Sequence, residues 1–179
     1  MKRLVLALML AAIPAHSQSA DPAAAANAFY TVYTGQHAQG RGIPDATVRL
    51  RLQSVLSPRL NKQLAAAAAA QARLTAKVKN AVPPVLEGDI FSSLFEGPTA
   101  WQVGSCQQKD KIARCSVALT YARVPPDPKA KPAHWTDTLV LVATPQGWKL
   151  DDVIYDASFA FGNTGRLSEM LNMVITSNP

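Results

Sequence analysis

The sequence predicts an α+β fold: N-terminal helices packed on a curved, cone-like antiparallel sheet, with a short C-terminal helix. Three observations carry that prediction. Helical spacing dominates from Asp21 to Val78, period-two alternation takes over between Trp101 and Asp156, and helical spacing returns from Gly165 to Ile175.

The first element is a targeting segment and not part of the fold. Lys2 and Arg3 precede an apolar run from Leu4 to Ile13, followed by Pro14 and small residues. This is the layout of a secretory signal peptide over residues 1–20, with cleavage after Ala15, Ser17 or Ala20. The run is too short for a permanent bilayer span, and no later stretch reaches the roughly 18 to 20 apolar residues needed for a transmembrane segment. Residues 21–179 are therefore read as one exported domain, placed in the periplasm, with secretion beyond the envelope left open. Without Lys2 and Arg3, 16 of the 18 basic residues face 12 acidic ones. The bases Arg49, Arg51, Arg59, Lys62, Arg73, Lys77 and Lys79 are spread over helix surfaces, the pattern of a solvated face. That argues against a nucleic-acid partner, while an acidic partner or anionic lipid remains compatible with it.

Asp21-Pro22 reads as N-cap and first helical residue of a helix reaching about Gln36, with Phe29, Val32, Tyr33 and Gln36 on one stripe. Gly35, Gly40 and Gly42 open a loop. A second helix starts near Asp45 and carries Val48, Leu52, Val55 and Leu56; Ser57-Pro58 ends it and starts the third. That third helix runs through Leu60, Leu64, Ala67, Gln71, Leu74 and Val78, and its alanine run has high helix propensity. Pro83-Pro84 closes the helical portion. A connector follows with Gly88, Asp89, Phe91, Phe95 and Glu96, where Asp89 fits a turn or cap.

Trp101–Cys106 and Arg114–Val124 read as a hairpin with Cys115, Val117, Leu119 and Tyr121 on one face. Two cysteines in an exported chain, Cys106 and Cys115, predict a disulfide across its tip. The proline-rich stretch Pro125 to Pro132 reads as a loop, with Trp135 after it as an exposed aromatic. Thr136–Thr144 and Trp148–Asp156 form the second hairpin, joined by Pro145-Gln146-Gly147. With Thr144 facing Trp148, one face holds Thr138, Val140, Val142, Trp148, Leu150, Asp152 and Ile154. The other holds Leu139, Leu141, Ala143, Lys149, Asp151, Val153 and Tyr155. Both faces are partly apolar, so the second is covered too, by a helix or by another subunit, which admits a homodimer.

Phe29-Tyr30 with Tyr33, the segment Leu56-Ser57-Pro58-Arg59-Leu60, Gly88-Asp89 with Phe91, and the stretch Gly147-Trp148-Lys149-Leu150-Asp151-Asp152-Val153 together resemble the nuclear transport factor 2-like (cystatin-like cone) superfamily. The closest resemblance is to an exported bacterial family of unknown function, over about residues 24–160. It implies a curved sheet folded around a helix, enclosing a cavity. It implies no catalytic set, since the superfamily holds both enzymes and binding proteins.

Chemistry is sparse. Asp152, beside Trp148, Leu150 and Ile154, is the candidate catalytic carboxylate if a Tyr such as Tyr30, Tyr33 or Tyr121 supplies the acid; its structural alternatives are a bulge or sheet-edge position or pairing with an arginine such as Arg114 or Arg123, and Asp151 is expected to face solvent. Phe29, Tyr33, Trp148, Leu150 and Asp152 are the residues that would line a ligand pocket. His37 and His134 lack metal-ligand spacing, so neither metal nor cofactor is expected. Ser92, Ser93 and Ser105 lack a nucleophile-elbow context. The leading expectation is thus a non-enzymatic exported protein engaging an envelope protein or a small apolar ligand. The alternatives are a small cavity enzyme of isomerase or dehydratase type, or an immunity-type inhibitor of a periplasmic toxin.

Overall fold

The computed structural model describes residues 21–34, 42–79, 86–123 and 129–177. Residues 1–20, read from sequence as a signal peptide, lie outside these residues, as do His37, Pro83-Pro84 and prolines 125, 126 and 128. Helix α1 (Pro22–Thr34) starts at Asp21, whose Oδ1 accepts a hydrogen bond from the Ala23 amide at 3.0 Å. It buries Phe29, Tyr30 and Tyr33 along one side. Helix α2 (Ala46–Leu52) is capped by Asp45, which accepts from the Val48 amide at 2.8 Å. Helix α3 (Pro58–Val78) begins with Pro58 behind the Ser57 cap and ends at Lys79 in the left-handed conformation. The face of α3 turned inward is Leu60, Leu64, Ala67 and Ala70.

Five antiparallel strands follow in a meander, β1 (Ala100–Lys109), β2 (Ile112–Tyr121), β3 (Ala133–Thr144), β4 (Gly147–Tyr155) and β5 (Gly165–Arg166), and helix α4 (Leu167–Ser177) closes the chain. The architecture is therefore α+β, with N-terminal helices on a five-stranded antiparallel sheet and a C-terminal helix. Helix α1 lies against β1 and β4, and α4 lies against α3 and β4. One contiguous core results, in which α1 contributes Phe29 and Tyr30, α3 Leu60 and Leu64, the sheet Val117, Leu139 and Leu141, and α4 Leu167 and Leu171.

Four local expectations are corrected. The second helix was predicted to continue through Leu56, but it stops at Leu52 and Leu56 pairs in parallel with Leu150. The Ser57 amide donates to the Leu150 carbonyl at 2.7 Å and the Leu150 amide to the Val55 carbonyl at 3.0 Å. The outer edge of β4 thus finds partners there, and satisfying those groups outweighs another helical turn.

The second correction is the β3–β4 register. Thr138 faces Ile154 and Val140 faces Asp152 as predicted, but Leu141 faces Leu150 and Thr144 faces Gly147, with a bulge between Val140 and Leu141. The bulge takes up one extra residue of β4 and so turns Trp148 and Leu150 onto the face of Leu139 and Leu141, away from the face of Asp152. Third, the disulfide does not sit at the hairpin tip. Cys106 and Cys115 are direct cross-strand partners, with three further pairs between them and the turn. A bulge between Val103 and Cys106 brings them opposite one another.

Fourth, Trp135 is buried rather than exposed. β3 starts at Ala133, and pairing with Leu119 turns the Trp135 indole onto the core face. On the opposite face of the sheet, Val140 and Asp152 are buried, while Ala118 and Thr136 remain exposed. Coverage of that face is therefore confined to part of it.

The disulfide closes a short loop within a hairpin, and the chain-entropy relation gives it about 2 to 3 kcal/mol. The Cys106→Ser/Cys115→Ser double variant is expected to lose that much in urea unfolding.

Candidate functional site

The polar residues that organise this molecule converge where the connector before β1 meets the loop after β4. Asp137 projects from β3 onto the core face, two positions after Trp135 and two before Leu139. It is fully buried. Its Oδ2 accepts from the Ser93 amide at 2.8 Å and from Trp135 Nε1 at 3.0 Å. Its Oδ1 accepts from the Ser93 hydroxyl and from the Asp156 amide at 3.2 Å. Burial pushes its carboxyl above the ordinary range, and the hydrogen bonds from Ser93, Trp135 and Asp156 pull it back. Four donors on one buried carboxylate make a fully satisfied hub, not an available base.

Asp89 stands on the same connector. Its Oδ1 accepts from the Phe91 amide at 2.7 Å, the turn role expected of it, and its backbone carbonyl accepts from Asn163 Nδ2 at 2.6 Å. Burial pushes its carboxyl up to about 8, with the negative potential of Asp137 adding to the rise and the Phe91 amide opposing it. Gly88 precedes it at φ +71°, and a Cβ there would meet the Phe95 ring at 2.5 Å. Tyr155 donates to the Ile90 carbonyl at 2.6 Å and, raised above its ordinary range chiefly by burial, remains a neutral phenol.

The residues singled out from sequence are placed as follows. Phe29 and Tyr33 stack at 5.3 Å, and both contact Phe91. Tyr30 stacks on Trp101 at 5.6 Å. Trp148 and Leu150 lie in the same core. These rings and side chains fill the interior between α1 and the sheet. Tyr30 is completely buried, its hydroxyl has no hydrogen-bond partner among the described residues, and burial first, then Asp137 and Asp89, hold it well above its ordinary pKa. Tyr121 is half-buried near the end of β2.

Asp152 does not join this group. Its Oδ1 accepts from the Ser168 amide at 2.9 Å and its Oδ2 from the Ser168 hydroxyl at 2.7 Å, with Arg166 Nη1 at 3.7 Å. It therefore caps the start of α4 and holds an ion pair. The partner is Arg166, not Arg114 or Arg123. Asp151 is not simply solvated: Arg59 Nη2 lies 2.8 Å from its Oδ2, and the Ser57 hydroxyl donates to its Oδ1 at 2.5 Å. His134 is exposed and its Nδ1 lies 3.0 Å from Thr120 Oγ1. Among the described residues no group of three or more His, Cys, Asp or Glu is arranged to hold a metal ion.

Sequence reasoning missed Asp137 and Ser93. A signal existed for the first, since Trp135, Asp137, Leu139 and Leu141 alternate in period two and put a carboxylate on the core face. Ser93 had no such signal, because its partner lies 44 residues away.

The hub supports a surface feature. Gly162 packs so closely that a Cβ would meet the Ser93 carbonyl at 2.4 Å, and the Asn163 amide donates to that carbonyl at 2.9 Å. The loop so held forms, with Leu94 and Phe95, a groove of about 440 Å³. Phe159 at its base packs edge-on against Trp135 at 5.8 Å. Phe161 on its rim is 88% exposed.

Comparison with protein-family models, with curated proteins and with solved structures finds no match to this chain. Among the described residues no helix is long and apolar enough to cross a membrane, and the disulfide is consistent with an oxidising, extracytoplasmic compartment.

Two outcomes follow from the buried carboxylates. Asp137→Ala strands four donors and is expected to cost roughly 3 kcal/mol or more in denaturant unfolding. Asp89 has a folded pKa of about 8, above its unfolded value, so the stability it contributes is full below about pH 4 and is lost as pH rises toward 8. Thermal melts of Asp89→Asn, which keeps the acceptor for Phe91, should therefore decline less over that window than those of the unaltered protein.

Proposed function

We propose that this is an exported, non-enzymatic interaction protein of the periplasm that engages an envelope protein or a small apolar ligand. The groove beside Phe161 carries the reading: apolar, open and held in place by buried hydrogen bonds. The signal-peptide layout of residues 1–20 and the disulfide support export. The helices on an antiparallel sheet, with the Phe29, Tyr30 and Tyr33 face turned to it, support membership of the nuclear transport factor 2-like cones and of an exported family within them.

The groove is not the pocket that the resemblance implies. Phe29, Tyr33, Trp148 and Leu150 are packed against neighbours, so the binding surface shifts to the outside of the sheet-connector junction. The same geometry lends little to the isomerase or dehydratase alternative, because Asp152 is engaged by Ser168 and Arg166. A toxin inhibitor would use the same exposed groove, and a toxin as the captured species would mark that case.

The test is capture from envelope extract followed by native mass spectrometry, with Phe161→Ser in parallel. The unaltered protein is expected to retain a partner or ligand that Phe161→Ser loses by about tenfold, the cost of removing one well-buried aromatic anchor. A bare monomer in every condition would count against the proposal.

A further inference from the structure

The groove leaves the opposite chemistry of the helical layer unexplained. Between residues 42 and 79 there are seven basic residues and one acidic residue, Asp45, while the rest of residues 21–179 carries more acid than base. The charge of the domain is thus polarised onto α2 and α3. On α3, with about 100° per residue, Arg59, Lys62, Arg73 and Lys77 project within one arc of about 60° that borders the buried side at Ala70 and is turned by roughly 100° or more from the mean direction of Leu60, Leu64 and Ala67. All four are exposed, and Arg59 is shared with Asp151. The helix contains no acidic residue. The stripe is about 27 Å long, from 18 residues at 1.5 Å each.

We propose that this face of α3 lies on a membrane surface rich in anionic phospholipid headgroups, a second binding surface that stands independently of the groove. Charge complementarity selects an anionic partner, and three further observations select a bilayer. The bases are separated by exposed Ala65, Ala69, Ala72 and Ala76, which offer no aromatic or large apolar anchor of the kind a protein interface requires. No aromatic interleaves with them, as stacking on single-stranded nucleic acid requires. A bilayer supplies laterally mobile anions that adjust to the spacing of flexible lysines and arginines.

Leu50 adds the apolar component. It is 71% exposed and is flanked by Arg49 and Arg51 on α2, the other basic helix of the layer. A leucine standing out of a basic layer suits the headgroup boundary, where its burial adds to the electrostatic attraction.

The experiment is co-sedimentation of the mature protein with vesicles of phosphatidylcholine alone or with roughly one-third phosphatidylglycerol, at low salt and at about 0.5 M salt. Binding is expected only to the anionic vesicles and only at low salt. Lys62→Gln/Arg73→Gln/Lys77→Gln should weaken it by about 100-fold, on the basis of the known attraction per basic residue near such a surface. Lys109→Gln/Lys111→Gln/Arg114→Gln, which removes the same charge at the β1–β2 turn, should bind within about threefold of the unaltered protein. Leu50→Gln should weaken vesicle binding about tenfold with the salt dependence unchanged. No binding to anionic vesicles, or equal loss in the two triple variants, would overturn the proposal.

Discussion

The Asp137 carboxylate joins three pieces of chain that have no covalent reason to meet: strand β3, the connector at Ser93 and the loop that leaves β4 at Asp156. A buried carboxylate is tolerable only when its lone pairs are used, and here Trp135 and the Ser93 and Asp156 groups use them. Because the Ser93 and Asp156 donors belong to segments with few regular hydrogen bonds of their own, one side chain replaces the ladder those segments lack. Ser93 extends the arrangement, since its hydroxyl also accepts from the Ala157 amide at 3.3 Å and its carbonyl from Asn163. The apolar groove is a consequence of this fastening.

Two kinds of polar burial coexist in one core. Asp137 is surrounded by donors and works as a joint. Asp89 has a backbone donor from Phe91 but sits where burial dominates, so its proton is held to about pH 8. Their mutual repulsion is part of the reason, and Asp137, with more donors, is the better placed to carry the charge. Asp152 is a third case, in which capping of α4 and an arginine settle the charge. Three aspartates that look alike in sequence thus have three separate roles, and for Asp137 and Asp152 the deciding partners, Ser93 and Ser168, are distant along the chain.

Much of the fold was legible because its determinants are local. Asp21-Pro22, Asp45 and Ser57-Pro58 announce helix starts through capping chemistry, and the alternation in Cys115, Val117 and Leu119 announces a strand whose inner face is buried. The errors fall where a local preference met a distant partner. Leu56 left its helical stripe because the Leu150 backbone needed hydrogen bonds, and Trp135 turned inward because Leu119 lies across from it. The bulge at Val140 and Leu141 had the widest effect, since a slip of one residue exchanges the two faces of a strand.

From sequence alone came the α+β class, the element types and the cysteine pair, all set by spacing and composition within short windows. Tertiary structure decided which carboxylate is a joint, a proton holder or a cap, and it packed Phe29, Tyr33, Trp148 and Leu150 into the core while leaving Phe161 exposed beside a groove. The reason is physical: burial and hydrogen-bond satisfaction are properties of the space around a side chain, and that space is assembled from segments that the order of residues does not place side by side.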